Sequence, residues 1–342
     1  MSIRLAVIGA GIMGSDHARI FAEDLPGVTL QVICDASEER ARHLADRVGA
    51  KHVLIDPEAA IARKDVDAVL IASPDFTHAP LSLASIRASK PVLCEKPLSQ
   101  SSQECLQVME SEVAVGRRFV QVGFMRRFDQ SYTEMKAALD GGRLGRALMM
   151  HNFHRNVETP QTDFTAAMAI TNSAPHEFDV ARFVLGVEYI GISAFQPRRS
   201  DTRVAPVVMV LETSGGQLVN IEINNNAAYG YDVRGELVGE RGATSINALA
   251  FATVDAGLQH VRRYEEDWRG RYAEAYRRQN RAFLKFVQTG EFPVIAADAW
   301  GGYCAAITAE AGVRALAGNR RVVIETVNPP DLYRSSVPMK MP

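Results

Sequence analysis

Cysteine is scarce, with four residues in 342. Cys34, Cys94, Cys105 and Cys304 lie far apart and form no C-x-x-C pair. That spacing argues against a disulfide frame or a zinc site, so reduced buried thiols and no metal are expected. An excess of charge of one sign is also missing: 38 basic side chains face 40 acidic ones, for a formal charge of -2. A surface that coats nucleic acid needs a strongly basic balance, so no nucleic-acid partner is expected. No apolar run reaches the roughly 18 residues that suggest a membrane span. The first nine residues carry Arg4 inside a short apolar stretch without a small-residue cleavage site, unlike a signal peptide. These absences point to a cytoplasmic protein with no membrane partner.

What is present is an ordinary globular composition: 47% hydrophobic, 23% charged, 25 glycines and 15 prolines. At about 150 residues per domain the length suggests two domains. A chain of this size buries around three quarters of its unfolded surface, enough to fold without a covalent or metal staple.

The first 125 residues alternate strand and helix. Residues 3–8 form a continuous apolar run ending at Gly9, the signature of a strand buried on both faces of a parallel sheet. A helical pattern follows from Ile12 to about Glu23 and stops at Pro26-Gly27. Further strands are expected at Val28–Cys34, Ala68–Ala72, Pro91–Cys94 and Phe119–Gly123. Ser37 is placed to cap a charged helix over Glu38–Val48, and Ala79–Ala88 reads as another helix. This is the pattern of an α/β doubly wound parallel sheet, here a Rossmann domain over residues 1–125.

Gly9-Ala10-Gly11-Ile12-Met13-Gly14 is a G-x-G-x-x-G string set directly after a strand and opening a helix. Gly9 permits the tight turn, Gly11 lets the backbone approach a pyrophosphate, and Gly14 lets helix and strand pack closely. The N–H groups at the helix start then face the phosphates. Asp35, 21 residues after Gly14, ends the second strand, where a carboxylate accepts hydrogen bonds from ribose hydroxyls. It would repel a 2′-phosphate, so NAD is favoured over NADP. Arg40, in a helix of Glu and Arg, reads as a solvated surface charge.

Beyond residue 125 the apolar runs alternate with polar residues: Ala147–Phe153, Val187–Phe195, Val207–Thr213, Gln217–Asn224, Tyr231–Gly239 and Ala243–Ile246. Short glycine turns such as Thr213-Ser214-Gly215-Gly216 join several of them, as in hairpins. Helices are expected from about Asp129 to Asp140, Arg271–Gln288 and Ala297–Ala317. Residues 126–342 thus read as a C-terminal α+β domain with a mostly antiparallel open sheet. A large bare apolar face is rare on a monomer, so that sheet suggests a homo-oligomer.

Three clusters carry candidate chemistry. Cys94-Glu95-Lys96-Pro97 ends a parallel strand, the edge where ligands of open α/β sheets bind. Lys96 there would hold or polarise a substrate hydroxyl, with Glu95 orienting the lysine or the cofactor ribose. Asn172-Ser173-Ala174-Pro175-His176-Glu177-Phe178-Asp179 opens a helix at Pro175, and His176 and Asp179 share a face three residues apart. Histidine titrates near neutrality and can take a hydroxyl proton as hydride leaves the same carbon. His154 and Asn156 on one strand end, and Tyr229 and Tyr231 on another, pair on the period-two rule and suit an uncharged polyol. Arg127 either binds substrate or forms a structural ion pair.

These residues resemble the Gfo/Idh/MocA oxidoreductase family over nearly the whole chain. The resemblance rests on Gly9–Gly14 with Asp35, Ser73-Pro74 with Thr77-His78, Glu95-Lys96-Pro97, residues 122–129, His154-Arg155-Asn156, His176–Asp179 and residues 228–232. The dinucleotide and Glu-Lys-Pro motifs are family-wide, and the Gly-Phe-Met-Arg-Arg and His-Arg-Asn runs are more specific to inositol-type members. The resemblance implies NAD(P)-dependent oxidation of a ring hydroxyl of a cyclitol or sugar, with lysine, aspartate and histidine as the catalytic set. Lys96 and His176 match two of these, but the position four before the histidine is Asn172 instead of aspartate. Asparagine cannot raise the imidazole pKa as a carboxylate does. The resemblance further implies cofactor contacts at Gly9, Gly11, Ile12, Met13, Asp35, Ser73, Thr77, His78, Glu95 and Lys96. Substrate contacts are implied at Lys96, Arg127, His154, Asn156, Asn172, His176, Asp179, Tyr229 and Tyr231, and the assembly as a tetramer or dimer. Asn172 leaves open a dehydrogenase for a different sugar or glycoside, or a non-catalytic NAD-binding sensor or interaction protein.

Overall fold

The structure, a computed structural model, describes residues 2–159, 163–246 and 253–334. Its contacts divide the chain into two compact units. The first holds residues up to Phe128 together with Glu274–Ala306 and the segment from Asn328. The second holds Asp129–Ala273 and Ile307–Val327. Two of the divisions, after Ala273 and after Ala306, fall inside the helices Trp268–Thr289 and Ala299–Gly318.

The first unit is built on six strands: β1 (Ile3–Ile8), β2 (Val28–Cys34), β3 (His52–Leu54), β4 (Ala68–Ile71), β5 (Val92–Cys94) and β6 (Val120–Val122). They pair in the order β3-β2-β1-β4-β5-β6, all parallel. Parallel strands need crossovers, and helices over both faces explain why β4 and β5 read as unbroken apolar runs and β1 as one interrupted only by Arg4 near its start. The order reverses at β1, which makes the gap between β1 and β4 the switch point of the sheet. The helix after Gly11 is shorter than the sequence pattern suggests: it runs Ile12–Arg19 and passes into a π turn at Ile20–Asp24. Ser37 caps Glu38–Val48 by accepting the Arg40 amide at 3.3 Å, and Gly49 ends that helix in the left-handed region. β3 and the helix Pro57–Ala62 are additional to the sequence reading.

The second unit carries β7 (Ala147–Arg155), β8 (Tyr189–Phe195), β9 (Val207–Thr213), β10 (Leu218–Asn224), β11 (Asp232–Gly239) and β12 (Ala243–Ile246). A detached hairpin, β13 (Thr253–Ala256) and β14 (Gln259–Arg262), precedes the short edge strand β15 (Val322–Val323). The large sheet runs β12-β11-β7-β10-β9-β8-β15 and is antiparallel except for the parallel pair β7–β10. Met150, Ile192, Met209, Leu211, Val219, Ile221 and Leu237 point to one side and form a core with Phe178, Val180, Ala181 and Val184 of the helix Pro175–Leu185. Pro175 starts that helix, and Gly186 ends it at φ 64°. Among the described residues no helix is long and apolar enough to cross a membrane.

Candidate active site

The carboxyl edge of the first sheet gathers the residues expected from the sequence to hold a dinucleotide. Gly9 follows β1 at φ +101°, and a Cβ there would sit 2.3 Å from the Ala72 carbonyl oxygen. A Cβ on Gly14 would lie 1.9 Å from the Gly9 oxygen. Neither position tolerates a side chain. Gly11 differs: nothing lies within 4 Å of its would-be Cβ, and Ile12 beside it is exposed. The backbone at the start of Ile12–Arg19 is open, as the approach of a pyrophosphate would require, while the two tight glycines hold the turn. Met13 is half-buried on the same first turn.

Asp35 follows β2 with its side chain largely buried. Its Oδ2 accepts the Ala10 amide at 2.8 Å; its Oδ1 accepts the Ser37 amide at 2.9 Å and Arg40 Nη2 at 2.8 Å. Burial pushes this carboxyl up, but the two amides and the guanidinium outweigh it and keep it below the usual range. An ionised carboxylate at the end of β2 fits a ribose with free hydroxyls. Arg40 itself is exposed and spent on Asp35.

β4 and β5 supply the next group. The Ser73 hydroxyl meets Thr77 Oγ1 at 2.6 Å, and Thr77 Oγ1 also donates to the Pro74 carbonyl at 2.7 Å. His78, buried at 1% exposure, sets Nε2 2.8 Å from the Ser73 carbonyl and Nδ1 2.7 Å from the Pro97 carbonyl. Glu95 is buried at the end of β5, with Oε1 accepting from His17 Nε2 at 2.8 Å and Oε2 accepting the Lys96 amide at 3.1 Å. His17 Nδ1 in turn lies 3.1 Å from Asn280 Oδ1. Burial raises the Glu95 carboxyl, yet His17 and Lys96 hold it below its ordinary value. Gly123 after β6 lets this carboxylate in, since a Cβ there would stand 3.0 Å from Glu95 Oε1.

Lys96 is the chemically loaded member. Burial pulls its ammonium down from the usual lysine value and Arg126 adds to that, while Glu95 and Asp75 oppose it. A lysine so placed passes a proton more readily than a solvated one. The peptide bond to Pro97 is cis. Arg127 sits in the turn Met125–Phe128 of this same unit and donates to the Ala296 carbonyl at 3.4 Å.

In the second unit the candidates collect at one end of the large sheet, where β7 and β10 finish and β11 begins. His154, facing the core side of β7, pairs with Glu177 Oε1 through Nδ1 at 3.0 Å, and both are buried. Tyr231 stands edge-on to the His154 ring at 6.0 Å. His176 and Asp179 are buried in the helix Pro175–Leu185. Asn172 lies in the π turn Ala169–Ser173, where its Oδ1 accepts the Thr171 hydroxyl at 2.8 Å. Ser173 accepts from Asn225 Nδ2 at 3.1 Å, tying that turn to the end of β10. Asn156 continues β7 by donating its amide to the Asn224 carbonyl at 2.8 Å.

Tyr229 and Tyr231 do not share a face. The segment before β11 is irregular, with Gly230 at φ +150° packed on Tyr264, so period-two alternation does not apply there. Tyr231 turns inward, whereas half-exposed Tyr229 donates to Asp232 at 2.7 Å and accepts from Arg155 at 2.9 Å. Three contributors escaped the sequence reading. His17 and Asn280 are 263 positions apart, and no local pattern links them to Glu95. Glu177 lies inside the quoted motif without a role, although a carboxylate beside a histidine is a usable signal.

Comparison with known proteins bears on the family. The model of the oxidoreductase family with an NAD-binding Rossmann fold matches residues 3–124, and that of the GFO/IDH/MocA C-terminal domain matches residues 132–245. Inositol 2-dehydrogenase 2 of Saccharopolyspora erythraea is 44% identical over 341 residues, covering 97% of this chain and 98% of its own. Inositol 2-dehydrogenase of Streptomyces avermitilis is 40% identical, with 96% of each chain covered. Among solved structures, the myo-inositol dehydrogenase of Lactobacillus casei in complex with NAD(H) and myo-inositol superposes with a TM-score of 0.93 at 28% identity, covering 98% of this chain and 100% of that one. The chain belongs to the Gfo/Idh/MocA family of oxidoreductases.

Proposed function

We propose that the protein is an NAD-dependent dehydrogenase that oxidises a ring hydroxyl of a cyclitol of the myo-inositol type to the ketone. The observation that carries this reading is Lys96: a partly desolvated lysine held by Glu95 at the same sheet edge as the Gly9–Gly14 turn and Asp35. Inositol dehydrogenases among the relatives, one of them solved with NAD(H) and myo-inositol, support the substrate class.

NAD, when bound, supplies the acceptor for the hydride that leaves the ring carbon with its electron pair. The chain's own residues handle the proton and the orientation. His176 takes the hydroxyl proton, and Lys96 donates a hydrogen bond to that oxygen and shares its charge as the carbonyl forms. Glu177 orients His154, and His154, Asn156, Arg127, Asp179 and Tyr231 bond the remaining hydroxyls, while Tyr229 is engaged with Asp232 and Arg155. Asn172 holds a substrate hydroxyl or the ring tautomer of His176, without the charge a carboxylate would lend. The dinucleotide is held within residues 1–125 and the substrate chiefly within residues 126–342. The open face of the large sheet exposes Leu148, Met149, Ile190, Phe195 and Leu218, which supports a homo-oligomer, a tetramer or dimer, working in the cytoplasm.

Asn172 favours one second reading, a substrate other than myo-inositol, such as a different sugar or glycoside. Incubating the protein with NAD or NADP and a panel of inositols, hexoses and glycosides, and following reduced cofactor, tests both. Turnover of inositols with NAD supports the first reading; turnover of sugars alone supports the second. Cofactor binding with no turnover on any member contradicts both.

A further inference from the structure

His78 is the first residue of the helix His78–Arg87, and its ring is nearly devoid of solvent contact. Both ring nitrogens face backbone carbonyl oxygens, Ser73 at 2.8 Å and Pro97 at 2.7 Å. A carbonyl oxygen only accepts, and unlike a side-chain amide it cannot be turned to offer a donor. A neutral imidazole has one N–H and one lone pair, so one of these contacts would set lone pair against lone pair inside the protein. Such a contact is far costlier when buried than in water. Two protons on the ring resolve both contacts as charge-assisted bonds.

A cation at a helix N-terminus runs against the helix dipole, and burial works against it too. The groups around the ring tip the balance. Burial pulls His78 toward neutrality, but Cys94, the Pro97 carbonyl and Asp75 outweigh it and lift the group to about 10.

The two carbonyls belong to the two loops that carry the chemistry. Ser73 follows β4 at the switch point, and Pro97 immediately follows Lys96. On its other side the Lys96 backbone is tied by its own amide to Glu95 Oε2 at 3.1 Å. Lys96 therefore sits between two tethers, one to Glu95 and one through Pro97 to His78. We infer that His78 is a positioning residue kept as an imidazolium, whose two N–H groups clamp the Ser73 loop to the Pro97 carbonyl and so fix the backbone of Lys96. In this role it acts through the two carbonyls it bonds. The inference builds on the dehydrogenase reading for its consequence, but the proton count does not depend on it.

Nitrogen NMR of the unliganded protein labelled at histidine tests the clamp directly, at a pH near 8.5 where ordinary histidines are neutral. One ring should keep both N–H protons, and that signal should vanish in His78→Gln. His78→Asn serves the same purpose if the glutamine variant does not fold, and contacts from the ring to Thr77 and Ala79 assign it if neither folds. A neutral tautomer at His78 overturns the proposal. In the folded variant the Lys96 amide should exchange about tenfold faster or more, and kcat should fall by about tenfold or more with the basic limb of its pH profile displaced. Unchanged Lys96 exchange overturns the positioning role even if the ring is charged, and so does an unchanged kcat with an unmoved profile. If no polyol is turned over at all, the dehydrogenase reading fails while the NMR result and Lys96 exchange still decide the clamp.

Discussion

The carboxylate of Asp35 is divided between a backbone amide and a guanidinium: Oδ2 accepts Ala10 N–H at 2.8 Å and Oδ1 accepts Arg40 Nη2 at 2.8 Å. One side chain thus fixes the glycine turn and occupies the cation that a 2′-phosphate would need. Asp35→Ala should raise the KM for NAD by about 10- to 100-fold, the scale of one or two lost charge-assisted hydrogen bonds. Arg40 is freed by the same change, so the preference for NAD over NADP should narrow. Steady-state kinetics with both cofactors measure this, and an unchanged ratio of kcat/KM values would contradict the role given to Asp35.

Gly14→Ala is a steric test of the same turn. The added Cβ would stand 1.9 Å from the Gly9 oxygen, and both groups are backbone-anchored. The expected result is a loss of about 3 kcal/mol or more of stability, at the upper end for overpacking, together with loss of NAD binding. Gly11→Ala, whose Cβ meets nothing within 4 Å, should leave stability nearly intact and weaken only the dinucleotide. Thermal melts with and without NAD distinguish the two.

Much of this was legible in advance because it is local. Apolar runs marked β4, β5 and, past Arg4, β1, and a period-two run marked β10, since burial on two faces or one leaves those patterns directly. The glycine turn and Asp35 were legible because backbone approach demands glycine at fixed spacing. What stayed hidden is short or long-range. β3 is three residues long, too few for a period. His17 meets Asn280 across 263 positions. The face of Tyr229 was misread because alternation holds only inside a strand, and Asp232 is where β11 begins.

Asn172→Asp restores a carboxylate four residues before His176. A negative charge there stabilises the imidazolium, so the limb of the pH–rate profile that reports the base should move to higher pH. With myo-inositol kcat should rise by about 10² if the missing charge is what limits proton removal. Kinetics across a pH series with an inositol and a sugar panel check this. No rise on any inositol would mean that Asn172 does not limit that reaction.

Glu112 gives a stability prediction remote from the chemistry. It is fully buried, with Oε1 accepting the Phe119 and Val120 amides at 2.5 and 2.7 Å and Oε2 accepting the Tyr333 hydroxyl at 2.5 Å. Burial dominates and lifts its carboxyl from 4.5 to about 7. A raised folded-state pKa means the folded protein holds this proton more tightly than the unfolded chain. The associated stability is therefore complete below about 4.5 and fades as pH rises through about 7. Glu112→Gln keeps an acceptor for the amides and cannot ionise, so its denaturation midpoint should lack that decline. Parallel declines in both proteins would refute the assignment.

Hydride transfer from the ring carbon is the step on which the functional account stands. Myo-inositol deuterated at its ring carbons, incubated with NAD and the protein, reads it directly by mass spectrometry of the reduced cofactor. One deuterium per NADH formed, with an equal amount of ketone and with the rate cut by about 10²–10⁴ in His176→Ala and Lys96→Met, is the expected result. NADH free of deuterium, or turnover untouched by both substitutions, would contradict the account.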